Sequence, residues 1–227
     1  MLENIWKVND LDIYYTDKAI ANEAFASDYC NAIKGLYPSR VFKNALEWCS
    51  GEGLTGYAML ANGLCDRITF NDFYQPALDT IETTKLKNTK YSDKISIYPG
   101  STLVNIPESE KFDLVVANPP TYLSSYFASK SLEYDKIGRT FSAREAEILI
   151  DNRWHARTSF YNEIKKRLAP DGVMLIQENQ AGSIQRSDSF NMIIENADLK
   201  ITGVFNSLEH YHPQTTMQIY YLEVQHR

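Results

Sequence analysis

The residues with the clearest chemical content are Asn118-Pro119-Pro120, which follow the apolar run Phe112-Asp113-Leu114-Val115-Val116-Ala117. Proline has no backbone N–H and a fixed φ, so two in succession make a stiff, extended chain whose backbone polar groups can only accept. The Pro119 carbonyl and the Asn118 side-chain oxygen can then stand as two fixed acceptors. A planar NH2 group held by both has its nitrogen lone pair aimed elsewhere, towards an electrophile such as a sulfonium methyl. Such a loop works by position and electrostatics and needs no nucleophilic side chain. Read structurally, the same residues are a rigid loop with Asn118 as a turn residue.

A second group lies in Glu47-Trp48-Cys49-Ser50-Gly51-Glu52-Gly53-Leu54-Thr55-Gly56. Glycines 51, 53 and 56 match G-x-G-x-x-G, which lets backbone approach a ligand where a strand turns into a helix. Asp72, at the end of the next apolar run, can accept both hydroxyl protons of a ribose. Two ligands suit this pattern: a nicotinamide dinucleotide through its pyrophosphate, or S-adenosylmethionine through its methionine portion. Glu47 favours the second, because a carboxylate beside the turn attracts an ammonium and repels a pyrophosphate. Glu52 points the same way. Without a ligand, the motif reads as a tight strand-to-helix turn with Asp72 as a helix cap.

These groups need a frame, and the chain supplies an alternation. Strands are expected at 45–49, 67–71, 94–98, 112–117 and 173–177, with helices at 54–60, 76–87 and 156–168 between them. Pro170-Asp171-Gly172 reads as the stop of the last of these helices. Alternating strands and helices imply right-handed βαβ units and a parallel sheet covered on both faces. After a helix near Phe190 to Asn196, runs at 200–205 and 216–224 follow without a helix between them and predict an antiparallel hairpin. The spacing of Ala21, Ala24, Phe25, Tyr29, Ile33 and Leu36 predicts a helix over 19–36, ended by Pro38. The expected fold is therefore α/β, a Rossmann-like doubly wound, mostly parallel seven-stranded sheet. It carries a C-terminal hairpin and an N-terminal helical cap, residues 1–40, on a main unit of residues 41–227.

The chain has 227 residues and a formal net charge of -6, with a pI near 5.3. That balance disfavours non-specific grip on nucleic acid, which needs a basic surface. Lys165-Lys166-Arg167 reads as a solvated helix face. No apolar run reaches a membrane span, no secretory signal is visible, and three cysteines read as buried small hydrophobes in a reducing compartment, so a cytoplasmic location is expected. His210 and His212 read as a hairpin turn and not a metal site, and no metal is expected.

Taken together and in order, Glu47-x-x-x-Gly51-x-Gly53, Asp72 and Asn118-Pro119-Pro120 resemble class I S-adenosylmethionine-dependent methyltransferases. They are most similar to the Asn-Pro-Pro group, which includes release-factor glutamine N5-methyltransferases and adenine N6-methyltransferases of DNA and RNA. The resemblance covers roughly residues 41 to 227. It implies S-adenosyl-L-methionine as cofactor, with Gly51 and Gly53 against its methionine, Asp72 on its ribose and Ser101 near its adenine. Glu47, Cys49, Phe73 and Asn118 complete the implied cofactor site, and Asn118, Pro119, Pro120 and Tyr122 the implied catalytic loop. Thr121 stands where the family has an aromatic, so Tyr122 is the nearest stacking residue, and Ser101 stands near where the family offers an acid. The stretch from Tyr122 to about Ala156 reads either as part of a substrate lid or as a surface helix and loop on the sheet edge. Arg139, Arg144, Arg153 and Arg157 read either as contacts for an anionic partner or as paired surface arginines.

The implied partner is a macromolecular methyl acceptor, protein glutamine ahead of adenine in RNA or single-stranded DNA, with no membrane involved. The release-factor enzymes carry a sizeable N-terminal helical domain, whereas about forty residues precede the first strand here. A protein that binds the cofactor without turnover is the third expectation.

Overall fold

A computed structural model of the chain describes residues 4–16, 19, 22–120, 149–179, 187–211 and 218–227. Strands β1 (Asn4–Val8) and β2 (Leu11–Tyr15) open the chain and are followed by α1 (Glu23–Leu36). Then come β3 (Ala45–Trp48), α2 (Leu54–Ala61), β4 (Ile68–Asp72), α3 (Gln75–Lys87), β5 (Ile95–Pro99) and β6 (Phe112–Ala117). The chain continues through α4 (His155–Ile164), β7 (Leu168–Asn179), α5 (Ser187–Asn196), β8 (Leu199–Tyr211) and β9 (Gln218–His226).

Seven strands form one sheet in the order β5-β4-β3-β6-β7-β9-β8. The first five run parallel, and β9 pairs antiparallel with both β7 and β8. The chain winds outward from β3 to β5 and then returns to the other side through β6. Strand order therefore reverses between β3 and β6, where a doubly wound sheet opens a crevice beyond its carboxyl ends.

Side chains alternate between two cores, as a sheet covered on both faces requires. Leu114, Val116, Val173 and Leu175 face a core shared with α1 and α2. Val115, Ala117, Met174 and Ile176 face one shared with α4. Trp48 stacks on Phe160 of α4 with ring centroids 3.8 Å apart and planes 6° apart, which seats that helix against β3. Every residue of α2 from Leu54 to Leu60 is buried, so this helix is enclosed on all sides.

The N-terminal segment is more than a helical cap. Two strands precede the helix as a hairpin with Asn4 opposite Tyr15, and Leu11 and Ile13 enter the core with α1 and α2. The helix starts at Glu23 rather than near Ala19, because the Asn22 side chain accepts from Phe25 N at 3.0 Å and caps it. At the other end α4 stops at Ile164. Residues 168–172 do not end a helix but form a bulge in β7, where the register with β6 jumps from Phe112↔Leu168 to Leu114↔Val173. Lys165-Lys166-Arg167 lies in the turn before that bulge, and Arg167 is buried there with Nη2 donating to Ile106 O at 2.8 Å.

Gly56 shows how closely α2 lies on the sheet. A Cβ at this position would stand 2.5 Å from Phe70 Cε1 and 2.7 Å from Glu47 Oε2. Gly56→Ala is expected to destabilise the fold by about 1–3 kcal/mol, read from urea unfolding, as overpacking does. Unchanged stability would mean that α2 stands further from β3 and β4.

Candidate functional site

A cavity opens beyond the carboxyl ends of β3, β4 and β6. From the glycine turn it is lined by Glu47, Cys49 and Gly51, and from the end of β4 by Asp72 and Phe73. The chain after β6 lines the facing wall with Asn118, Pro119 and Pro120. Asn118 is exposed, Pro119 is buried and Phe73 is half exposed. Residues far apart in sequence are thus gathered at the reversal of strand order.

Two of the expected cofactor residues are not brought to the cavity lining. Gly53 is left-handed (φ 78), and a Cβ there would meet Ile81 and Phe70 at 3.0 Å, so it serves the turn and the packing of α2. Ser101 is exposed after β5. Its loop is drawn towards α4, where Leu103 N donates to Glu163 Oε2 at 2.6 Å and Leu103 and Ile106 enter the second core. Thr121 and Tyr122, with the insert to residue 148 that carries Arg139 and Arg144, lie outside the described residues.

The glycine turn is tight because three of its residues have positive φ: Cys49 (55), Gly51 (52) and Gly53 (78). Glycine takes this conformation freely, whereas Cys49 does so at a cost of about 1–2 kcal/mol. Asp72 fastens the turn to β4. Its Oδ2 accepts from Gly51 N at 2.8 Å and its Oδ1 from Tyr74 N at 2.9 Å. Ser50 Oγ is buried beside the cavity without a hydrogen-bond partner among the described residues.

Glu47 is buried, and its Oε2 accepts from Gly56 N at 2.7 Å. Burial pushes its pKa up to about 8, against the pull of the Gly56 N–H and the Thr55 side chain, and the Asp72 charge adds to the rise. Glu52 has a different task from the one its place in the turn suggested. Its two oxygens accept from Thr16 N and Thr16 Oγ1, each at 2.6 Å, so it clasps the exit of the N-terminal hairpin.

Two further side chains hold the Asn-Pro-Pro loop, and neither stood out in the sequence as doing so. Tyr29, from α1, donates its hydroxyl to Ala117 O at 2.5 Å and accepts from Gln177 N at 3.0 Å. Arg157, read as a contact for an anionic partner, is 1% exposed and forms an ion pair with buried Glu178. It also donates to Pro120 O from Nε at 3.2 Å and from Nη2 at 3.0 Å. Arg153 is exposed. His210 belongs to β8, and His212 lies outside the described residues. Among the described residues no helix is long and apolar enough to cross a membrane.

No protein-family model and no curated protein matches the chain. Solved structures with the same fold do exist. The ribosomal protein L11 methylase from Lactobacillus delbrueckii subsp. bulgaricus aligns with a TM-score of 0.59 at 13% identity, over 95% of this chain and 85% of its own. The glycopeptide N-methyltransferase MtfA, solved with S-adenosyl-L-methionine, gives 0.58 at 11% identity over 93% and 96%. TrmN from Thermus thermophilus gives 0.58 at 12% identity over 92% of this chain, which spans 50% of TrmN. At such identities the shared property is the Rossmann-like α/β fold.

Glu47 yields a pH test. The folded chain holds a proton on Glu47 up to about pH 8, whereas an ordinary Glu releases it near 4.5. Its contribution to stability is full below the lower value and is lost as pH rises towards the upper one. Glu47→Gln keeps an oxygen for Gly56 N and carries no titration. Its stability relative to the parent is therefore expected to rise across that window, by at most about 1.4 kcal/mol per pH unit, in urea titrations near the two limits. A constant difference would show that Glu47 titrates in the ordinary range.

Proposed function

We propose that the chain is an S-adenosylmethionine-dependent N-methyltransferase, with a planar NH2 group as acceptor and a protein glutamine amide as its first candidate. The observation that carries this reading is the shared cavity. Its cofactor wall bears Gly51, Asp72 and Glu47, and its facing wall bears Asn118 and Pro119.

The residues that line the cavity fit that cofactor. A Cβ at Gly51 would meet nothing within 4 Å, so the turn has open space beside it. The buried Ser50 Oγ lacks a partner among the described residues, and the neighbouring side chains are carboxylates. This wall suits a ligand rich in hydrogen-bond donors, with the Asp72 charge adding attraction for a cation. Glu47 and Ser50 would hold the methionine ammonium end. Asp72 would hold the ribose hydroxyls, and Phe73 would cover the adenine. When bound, the cofactor supplies a methyl group on a positively charged sulfur.

The chain's own part is to bind and orient. Asn118 Oδ1 and Pro119 O would accept the two N–H bonds of the acceptor and leave its lone pair directed into the cavity. Both acceptors become better partners as positive charge develops on that nitrogen, which is stabilisation of the transition state by fixed dipoles. The net charge of -6 favours a protein acceptor over a polyanion. The L11 methylase and the N-methyltransferase MtfA share the fold and support the reading.

Tritiated-methyl S-adenosylmethionine, incubated with the protein and cell lysate, tests it. Label is expected on nitrogen in the protein fraction. Label on adenine would move the assignment to nucleic acid, and label on oxygen or carbon would overturn the nitrogen claim. Cofactor affinity without transfer to any fraction would leave a binding protein. Asp72→Asn is expected to weaken calorimetric cofactor binding by about tenfold or more, as loss of charge-assisted hydrogen bonds does. Asn118→Ala should leave that binding intact and lower transfer by about a hundredfold or more. Full transfer by Asn118→Ala would exclude this loop as the catalytic centre.

A further inference from the structure

Pro119 and Pro120 bring no N–H to the loop, so the loop is held mainly through what its carbonyls accept. Ala117 O, just before Asn118, takes the Tyr29 hydroxyl. Pro120 O, just after Pro119, takes two N–H donors from Arg157. The two catalytic candidates therefore sit between two buried anchors.

The second anchor is itself rigidly held. Asp151 caps the start of α4, accepting from Ala156 N at 3.0 Å and from Arg157 N at 3.1 Å. Glu178, at the end of β7, takes Arg157 Nη1 and, at 3.2 Å, Nη2. Neither side chain of this pair is more than 1% exposed. Desolvating two charges is costly, and an apolar pair of similar size often gives equal stability. A planar fork also does what a lysine cannot, since it serves a carboxylate on one edge and a carbonyl on the other.

We infer that Arg157, oriented by Glu178 and Asp151, is a positioning residue that fixes the Asn118-Pro119 acceptor pair through the Pro120 carbonyl. This rests on the reading of Asn118 and Pro119 as the groups that hold the methyl acceptor. The ion pair, in this view, serves the geometry of the loop more than the stability of the fold.

The test compares Arg157→Lys and the double variant Arg157→Met/Glu178→Met with the parent. The double variant is expected to melt no lower than the parent and to bind S-adenosylmethionine with unchanged affinity in calorimetry. Transfer to lysate acceptors at saturating cofactor is expected to fall by about a hundredfold in both variants, as misplacement of a reacting group does. The Asn118 side-chain NH2, assigned in 15N spectra by its loss in Asn118→Ala, should lose order in relaxation measurements on both.

Two results overturn the inference. One is parental order of that NH2 group in the variants. The other is transfer that falls with melting temperature in Arg157→Lys and returns with it in the double variant. Absence of transfer by the parent itself would instead refute the methyltransferase reading, and the relaxation data would still decide what Arg157 does to the loop.

Discussion

Where β6 ends, the chain enters two prolines and loses the backbone donors that would continue any ladder. Prolines that bring only acceptors are fixed in place by donors reaching in from elsewhere. Much of the architecture around the cavity meets that need. Tyr29 stands at the carboxyl ends of β6 and β7, donating to Ala117 O and accepting from Gln177 N just beyond the last paired residues, Ala117 and Ile176. Its ring is set edge-on to Tyr221, whose hydroxyl donates to Asp28 next to Tyr29 on α1. The N-terminal helix is thereby bound to the sheet through the same contacts that end β6, and Arg157 completes the hold from the other side.

The cavity carries an excess of carboxylate, and the chain copes with it by using carboxylates as acceptors for its own backbone. Asp72 ties Gly51 to Tyr74, Glu47 holds Gly56, and Glu52 holds Thr16. Buried anions are tolerable when hydrogen-bonded, or when one gives up its charge. Glu47 does the latter to a degree, with its pKa raised to about 8 by burial and by Asp72. The Asp72 charge still opposes a pyrophosphate, whereas Glu47, which holds a proton up to about pH 8, lacks the charge that favours a cation on sequence grounds. The same bonds make the glycine turn dependent on these acids, which therefore hold the turn in shape as well as lining the cavity.

The doubly wound order is legible in the chain because β3 to β7 are apolar runs separated by helical spacing and by Gly or Pro punctuation. The hairpin of β1 and β2 is not. Asn4–Val8 alternates in burial but has no glycine or proline signal at its turn, where Asn9 takes φ 53 instead. The bulge at residues 168–172 is hidden for the opposite reason. Pro170-Asp171-Gly172 is a strong stop signal, and only the neighbouring β6 reveals that the chain makes a strand there. Among site residues, Glu47, Gly51, Asp72 and Asn118 are visible because their types and spacing carry chemistry. Tyr29 and Arg157 are not, since each acts through a carbonyl some 37 to 88 residues distant, and carbonyls leave no trace in residue type. Nothing in one chain distinguishes an arginine that pairs inside from one that faces solvent.

The two walls of the cavity differ in what they can determine. The wall that bears Gly51 and Asp72 is built from the ends of β3 and β4, the parts a doubly wound sheet must have. The facing wall is built from the chain after β6 and from α1, and its lining residues Phe25, Asn118 and Pro119 are side chains that the sheet does not prescribe. Proteins that share the fold at 11–13% identity, among them a ribosomal protein L11 methylase and a glycopeptide N-methyltransferase, therefore speak for the sheet and leave the chemistry of both walls open. The acceptor has to be read from what surrounds Asn118. There the carbonyls on either side of Asn118-Pro119, Ala117 O and Pro120 O, are held by two buried donors, Tyr29 and Arg157, which is the rigidity that the proposed grip on a planar NH2 group requires.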